Sequence, residues 1–163
     1  MHIPGWATDM QLRLNGQPIL AEDLRQPRKW KKGDVVELEL PMKPRLMEAN
    51  PLVEEAKNQI AVMRGPIVYC LEGQDIQGGY RINDIAIPTD VQFKETKIAM
   101  NGQEMVALEA EVPVVNKDFW RNDELYRELR PSRNKKTKIR LIPYYAWGNR
   151  GIDDMSLWLP LAR

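Results

Sequence analysis

The chain has 163 residues, of which 43% are hydrophobic and 29% charged, a composition typical of a soluble globular protein with a real core. Lysine and arginine total 24 against 23 aspartate and glutamate, so no overall field attracts polyanions, and neither nucleic acid nor an anionic membrane is an expected partner. The single cysteine excludes an internal disulfide framework and a multi-cysteine zinc cluster.

Near its start the chain carries Ile3, Pro4, Gly5 and Trp6, the pattern of a strand end that runs into a turn. Almost no strand precedes it, so we expect either a neighbour that supplies the missing edge or an exposed edge open to strand-mediated self-association. The same terminus has no signal-peptide pattern, and no stretch approaches the roughly 20 apolar residues of a membrane span. These features leave the compartment open between the bacterial cytoplasm and export.

Alternation of apolar and polar residues with a period of two dominates the rest of the chain. Asn15 with Gly16, and Asn101 with Gly102, are pairs that tolerate the positive φ of hairpin turns. Gly73 is predicted to end the strand before it. The predicted strands, in chain order, are 10–14, 36–40, 58–63, 67–72, 82–87, 91–98, 105–115, 138–142 and 155–159.

Two segments do not follow the strand pattern. Residues 52–57 are compatible with one helical turn, and residues 118–130 fit either a helix or a long ordered loop. Many short strands with frequent glycine and proline predict an all-β sandwich or barrel. Of the two we prefer a jelly-roll-like β-sandwich with room for one short helix. Because no repeat, low-complexity segment or linker is found, residues 1–163 are predicted to form a single domain.

Residue types that carry catalysis are scarce. The only histidine, His2, lies at the terminus and is a poor candidate for a general base. Cys70 lies within an apolar run, which favours a buried core residue over a reactive thiolate. Four acidic residues are interpreted as solvent-side strand or turn residues: Glu72, Asp75, Glu109 and Glu111. We therefore predict no catalytic residue and no metal ligand in this chain.

Aromatic residues offer two interpretations. Their apolar ring faces suit stacking on sugars, but core or interface packing is the more common use of such rings. The chain has five tyrosines and five tryptophans, the latter at Trp6, Trp30, Trp120, Trp147 and Trp158.

An ordered set of segments resembles the C-terminal region of family 127 glycoside hydrolases, the β-L-arabinofuranosidase family. These segments are IPGWA at 3–7, LNGQP at 14–18, WKKGD at 30–34, LPM at 40–42, AVMRGPIVYCLE at 61–72 and IPYYAWGNRG at 142–151, with Met155 and Trp158 after them. The resemblance covers nearly the whole chain.

That resemblance implies an accessory β-sandwich without the N-terminal (α/α)6 catalytic barrel of those enzymes. Their cysteine nucleophile, acid/base glutamate and zinc site lie on the barrel, so none of these residues can be assigned here. No cofactor is expected in this chain, and zinc is expected only in the missing barrel.

Trp147, Asn149 and Arg150 stand in the last motif and are the expected contact residues, toward either a sugar or the barrel. Our hypothesis is the barrel, because a fixed accessory domain needs a packed interface. A carbohydrate-binding module with an aromatic platform for plant-type, arabinose-containing carbohydrate is the first alternative. An interaction domain completed by a partner strand is the second.

Overall fold

The computed structural model describes residues 3–114, 123–126, 128 and 135–162. Within them, the chain forms two compact units that divide after Lys43. No boundary inside residues 1–163 is predicted from the sequence. The division lies between Pro41 and Pro44, where two prolines end one strand and begin the next, and no glycine- or serine-rich linker marks it. We name residues 1–43 unit 1 and residues 44–163 unit 2.

Unit 1 contains a three-stranded antiparallel sheet of order β2-β1-β3, with strands β1 (Gln11–Leu14), β2 (Gln17–Pro18) and β3 (Val36–Glu39). Asn15 and Gly16 have φ values of 50° and 79°, which confirms the predicted hairpin turn between β1 and β2. Asn15 Oδ1 also accepts a hydrogen bond from the Val35 amide at 2.8 Å, so its side chain links this turn to the start of β3.

Unit 2 contains a second sheet, in which nine strands lie among the described residues. The path runs β7-β12-β5-β6-β10-β9-β8, with β4 beside β5 and β11 beside β6; all pairs are antiparallel except β12 with β7. The strands are β4 (Pro44–Glu48), β5 (Gln59–Arg64), β6 (Ile67–Ile76), β7 (Ile87–Pro88), β8 (Lys94–Met100), β9 (Gln103–Pro113), β10 (Lys136–Pro143), β11 (Met155–Ser156) and β12 (Leu159–Ala162).

The described part of the chain is all-β, as predicted: 46% of it is strand and 10% is helical, which is consistent with a β-sandwich. The helical residues form 3₁₀ turns at Asp23–Arg25, Glu54–Ala56, Gln77–Gly79, Ile82–Asp84 and Tyr144–Ala146. The second of these is the short helical turn predicted within 52–57. Among the described residues, no helix has the length and apolar character needed to cross a bilayer.

Several predicted strand bounds are wrong. The first half of 82–87, Ile82–Asp84, is a 3₁₀ turn, because Asp84 Oδ2 accepts a hydrogen bond from the Arg81 amide at 2.9 Å and closes the turn. The isoleucines of this segment are buried, so its apolar pattern reflects packing in the core more than pairing with a neighbouring strand. Segment 155–159 divides into β11 and β12, and β4 was not predicted at all.

The predicted helix or loop at 118–130 lies mostly outside the described residues. Of its five apolar residues, Leu125 and Tyr126 are 80% and 90% exposed. Phe119, Trp120 and Leu129 lie outside the described residues. That prediction stays untested.

The sheet of unit 2 buries side chains on both faces. Tyr69 and Leu71 on β6 belong to the larger cluster, whereas Cys70 between them belongs to a smaller cluster on the other face. The larger cluster comprises Ile60, Val62, Tyr69, Leu71, Ile76, Ile82, Ile85, Ile87, Leu108, Ala110, Val112, Ile139, Leu141 and Leu159. The smaller cluster comprises Cys70, Met100, Met105, Ile142 and Ala146. Strands β6, β9 and β10 therefore each contribute side chains to both clusters.

Candidate functional site

The predicted contact residues lie in a surface turn that follows β10. The chain leaves β10 at Pro143, forms the 3₁₀ turn Tyr144–Ala146 and returns through Gly151 to β11, which pairs with β6. Ala146 is 1% exposed and packs in the smaller cluster, which fixes the base of the turn. We name residues 144–150 the aromatic turn.

A buried ion-pair cluster holds the end of this turn against β6. Arg150 Nη1 donates to Asp75 Oδ1 at 2.9 Å, and Arg150 Nη2 pairs with both Asp75 Oδ2 and Glu72 Oε2. The Glu72 and Asp75 side chains are 2% and 5% exposed, and that of Arg150 is 24% exposed. Hydrogen bonds from Arg150 to Asp75, and then to Glu72, raise the pKa of Arg150 above its ordinary value. We name these three residues the anchor.

Glu72 also binds the backbone of the turn. Its Oε1 accepts a hydrogen bond from the Gly148 amide at 3.0 Å, and its Oε2 accepts one from Gln74 Nε2 at 3.0 Å. A buried carboxylate with this many donors is satisfied despite its loss of water. The interpretation of Glu72 as a solvent-side residue is wrong, since the residue is 1% exposed. The Asp75 carboxylate is buried as well, whereas Glu111 is exposed as predicted.

Gly73 does not end its strand, and it lies in close contact with Asp153. Its amide donates to Asp154 O at 2.9 Å, and a Cβ atom on Gly73 would lie 2.9 Å from Asp153 Oδ1. Asp153 Oδ2 in turn accepts a hydrogen bond from the Gln74 amide at 2.5 Å. The segment after the aromatic turn therefore lies directly against β6, which continues to Ile76.

The anchored turn presents three aromatic rings. Tyr144 and Trp147 are stacked, with ring centroids 6.1 Å apart and an interplanar angle of 7°. The exposed fractions of Tyr144, Tyr145 and Trp147 are 43%, 63% and 46%. Asn149 Nδ2 donates to Ala146 O at 3.0 Å, so this side chain stabilises the turn itself. The predicted roles of Trp147, Asn149 and Arg150 toward a sugar or a barrel stay predictions.

The other tryptophans differ in setting. Trp30 in unit 1 is 54% exposed, and the Arg28 guanidinium lies 5.2 Å from its ring centroid, a cation–π geometry. Trp6 and Trp158 are partly buried, and Trp120 lies outside the described residues. The aromatic turn is thus where the described part of unit 2 concentrates exposed rings from neighbouring positions.

Cys70 is a core residue, which confirms the interpretation of its apolar run. It is 0% exposed, and burial, followed by the charges of Glu72 and Asp75, raises the pKa of its thiol to about 12. We expect no labelling of the native chain by an aromatic disulfide reagent at mildly alkaline pH, because the thiolate is both scarce and covered. One thiol per chain should react once the protein is unfolded in guanidinium chloride, and rapid labelling of the native chain would contradict this.

Within the part of the chain that the structure describes, no group of three or more His, Cys, Asp or Glu side chains is arranged to hold a metal ion. His2 is outside that part.

Two family models match the chain, and both describe domains of glycoside hydrolases. Residues 1–42 match "Beta-L-arabinofuranosidase, GH127 middle domain", and residues 44–160 match "Glycoside hydrolase family 127 C-terminal domain". The chain belongs to glycoside hydrolase family 127, as its ordered motifs predicted. The junction between the two matches coincides with the division between unit 1 and unit 2.

The relatives that match this chain are much longer than it. A non-reducing end β-L-arabinofuranosidase of Bifidobacterium longum subsp. longum is 33% identical over 168 residues, which are 97% of this chain and 25% of that protein. A solved glycoside hydrolase is 44% identical with a TM-score of 0.86, over 99% of this chain and 27% of its own. A GH127 β-L-arabinofuranosidase from Geobacillus stearothermophilus T6 is 33% identical with a TM-score of 0.86. The match covers 98% of this chain and 26% of that protein. The chain spans about a quarter of the length of these proteins.

Proposed function

We propose that this chain is a non-catalytic β-domain region that packs on the catalytic barrel of a family 127 glycoside hydrolase and supports it. The observation that carries the proposal is the anchored aromatic turn, in which buried charges fix a surface segment that exposes three rings. Neighbouring exposed rings on a rigid backbone are typical of surfaces that become covered by a partner. The coverage of about a quarter of the relatives favours a partner within the same protein.

In this proposal the parent protein releases β-L-arabinofuranose units, the activity that the names of two relatives state for those proteins. One of these names places the released unit at the non-reducing end. The reacting groups then belong to the barrel, and zinc, where present, to the same barrel. The present chain contributes packing area and a fixed position for the turn.

A carbohydrate-binding module is the second candidate. The nearly parallel rings of Tyr144 and Trp147 favour it, because flat exposed rings suit the apolar face of a sugar. The two candidates differ in what the rings cover: a protein surface in the first and a ligand in the second.

Replacing Trp147 by alanine in the full-length enzyme separates the candidates. For a docking ring we expect a loss of roughly 2 kcal/mol or more in the free energy of unfolding, the usual loss for an aromatic anchor at an interface, with little change in sugar affinity. Differential scanning calorimetry gives the stability, and titration with an L-arabinofuranoside gives the affinity.

The matched control is Trp30→Ala, which removes an exposed ring of unit 1 and should change neither quantity by a comparable amount. Unchanged stability of Trp147→Ala together with much weaker sugar binding would overturn the supporting role and favour the sugar platform.

A further inference from the structure

A second concave surface lies apart from the aromatic rings. It is a groove of about 570 Å³ that crosses β6, β10, β9 and β8 of unit 2. On β10 and β8, Arg140 and Lys94 line this groove, and Ile142 and Ile98 farther along the same strands pack with the smaller core cluster. Because side chains alternate along a strand, the groove opens on the face that holds this cluster. We name it the polar groove.

The polar groove is lined by balanced charges. Three carboxylates and three cations line it: Asp75, Glu109, Glu111, Lys94, Lys138 and Arg140. Glu109 lies directly opposite both Lys94 and Arg140 in the strand register, and Lys138 lies opposite Glu111. A lining without net charge has no field that selects an anion or a cation. The ligand that fits it is polar and uncharged.

Two contacts hold the groove in one geometry before any ligand arrives. Arg140 Nε and Nη2 both donate to Glu109 Oε1, at 3.0 and 2.9 Å. Asp75 at one wall is held on its other side by Arg150 of the anchor. Polar side chains fixed by such bonds lose less conformational entropy when they bind a ligand.

The hydrogen-bonding groups of the lining suit hydroxyl groups. Each hydroxyl both donates and accepts, and the groove offers carboxylate acceptors, cationic donors and three amides, at Gln74, Gln77 and Gln92, that do both. From β6 to β8 there are three strand spacings, roughly 14 Å at about 4.8 Å each, which is longer than one sugar ring. The described lining contains no ring and only two apolar residues, so an apolar peptide anchor finds no pocket there.

We propose that the polar groove binds a neutral oligosaccharide. The proposal rests on the proposed function in one respect, namely that a family 127 glycosidase works where such sugars are present. The sugar then contacts the polar groove on the sheet, and the aromatic turn contacts the protein partner.

The test is a titration of the isotope-labelled 163-residue chain with arabinotriose, followed by amide NMR shifts, with sorbitol as an open-chain polyol control. We expect shifts concentrated at the groove strands, near Lys94, Glu109 and Arg140, and none of similar size with sorbitol. Lys94→Met should weaken binding about tenfold, as expected when a hydrogen bond from a charged group is lost.

The matched control is Lys97→Met on the same strand. Lys97 is exposed like Lys94, but it lies three residues away on the opposite face, so its replacement should change the affinity less than twofold. Equal weakening by both replacements would overturn the proposal.

Three further outcomes also overturn it: no shifts with arabinotriose, equal shifts with sorbitol, or shifts confined to residues 144–150 that Trp147→Ala abolishes. The last outcome would move sugar binding to the aromatic turn. The first would leave the supporting role standing, because that role is judged by the stability of the full-length enzyme.

Discussion

Replacing Arg150 by methionine should lower the free energy of unfolding of the chain by about 3–5 kcal/mol, the usual cost of removing one partner from a buried ion pair. The substitution leaves the Glu72 and Asp75 carboxylates almost without access to water and without their cation. Methionine retains much of the arginine's apolar volume, so the loss reports mainly on the charge. Urea denaturation followed by far-ultraviolet circular dichroism measures it.

Arg140→Met provides the matched control, since it breaks another arginine–carboxylate pair in the same sheet. The Arg140 and Glu109 side chains are 43% and 33% exposed, and pairs this open contribute about 0–1 kcal/mol. Adding Glu72→Gln and Asp75→Asn to Arg150→Met should restore part of the stability, because the unpaired buried charges are then gone. Equal losses for Arg150→Met and Arg140→Met would show that the anchor has no special role.

The anchor connects the fold to the proposed interface. Glu72 binds both the Arg150 side chain and the Gly148 amide, so the two bonds enclose the end of the aromatic turn. Without Arg150 we expect the stacked rings of Tyr144 and Trp147 to lose their fixed orientation even in chains that stay folded. The near-ultraviolet circular dichroism of the aromatic side chains would then decrease before the far-ultraviolet signal does.

Local patterns were sufficient to predict much of the fold. The hairpin turn at Asn101 and Gly102 needs positive φ at both residues, 50° and 78°, and this requirement is visible in the sequence. Strands such as β9 and β10 alternate regularly because each has one face in the larger core cluster. Such features depend on neighbours along the chain.

Other features depend on distant partners and were therefore missed. Strand β4 contains proline, arginine and glutamate, and only its pairing with β5 makes it a strand. Gly73 has the pattern of a strand end, but it lies inside β6 where Asp153 comes close to the strand.

The residues of the candidate site also fall into two groups: some are predicted by local motifs, and others depend on distant partners. Trp147 and Arg150 stand in the last sequence motif, and both lie in the aromatic turn. From the sequence, Glu72 and Asp75 are expected to face solvent, because acidic residues are seldom buried. Their partner Arg150 is 78 and 75 residues away, and no spacing rule connects such positions. The one local sign of burial is that Glu72 directly follows the apolar run 67–71.

Replacing Leu71 by alanine should lower the free energy of unfolding by about 2–5 kcal/mol, the range for a leucine removed from a packed core. Leu71 is 0% exposed in the larger cluster and precedes Glu72 on β6, so the substitution weakens the sheet beneath the anchor without touching an ion pair. Leu52→Ala is the control, because that side chain is 89% exposed and its loss should stay within about 0.5 kcal/mol. In contrast to Arg150→Met, we expect Leu71→Ala to keep the native near-ultraviolet aromatic signal until the whole sheet unfolds. If both variants lose that signal at the same urea concentration, well before the far-ultraviolet signal, the aromatic turn is held by the sheet as a whole and not by the anchor.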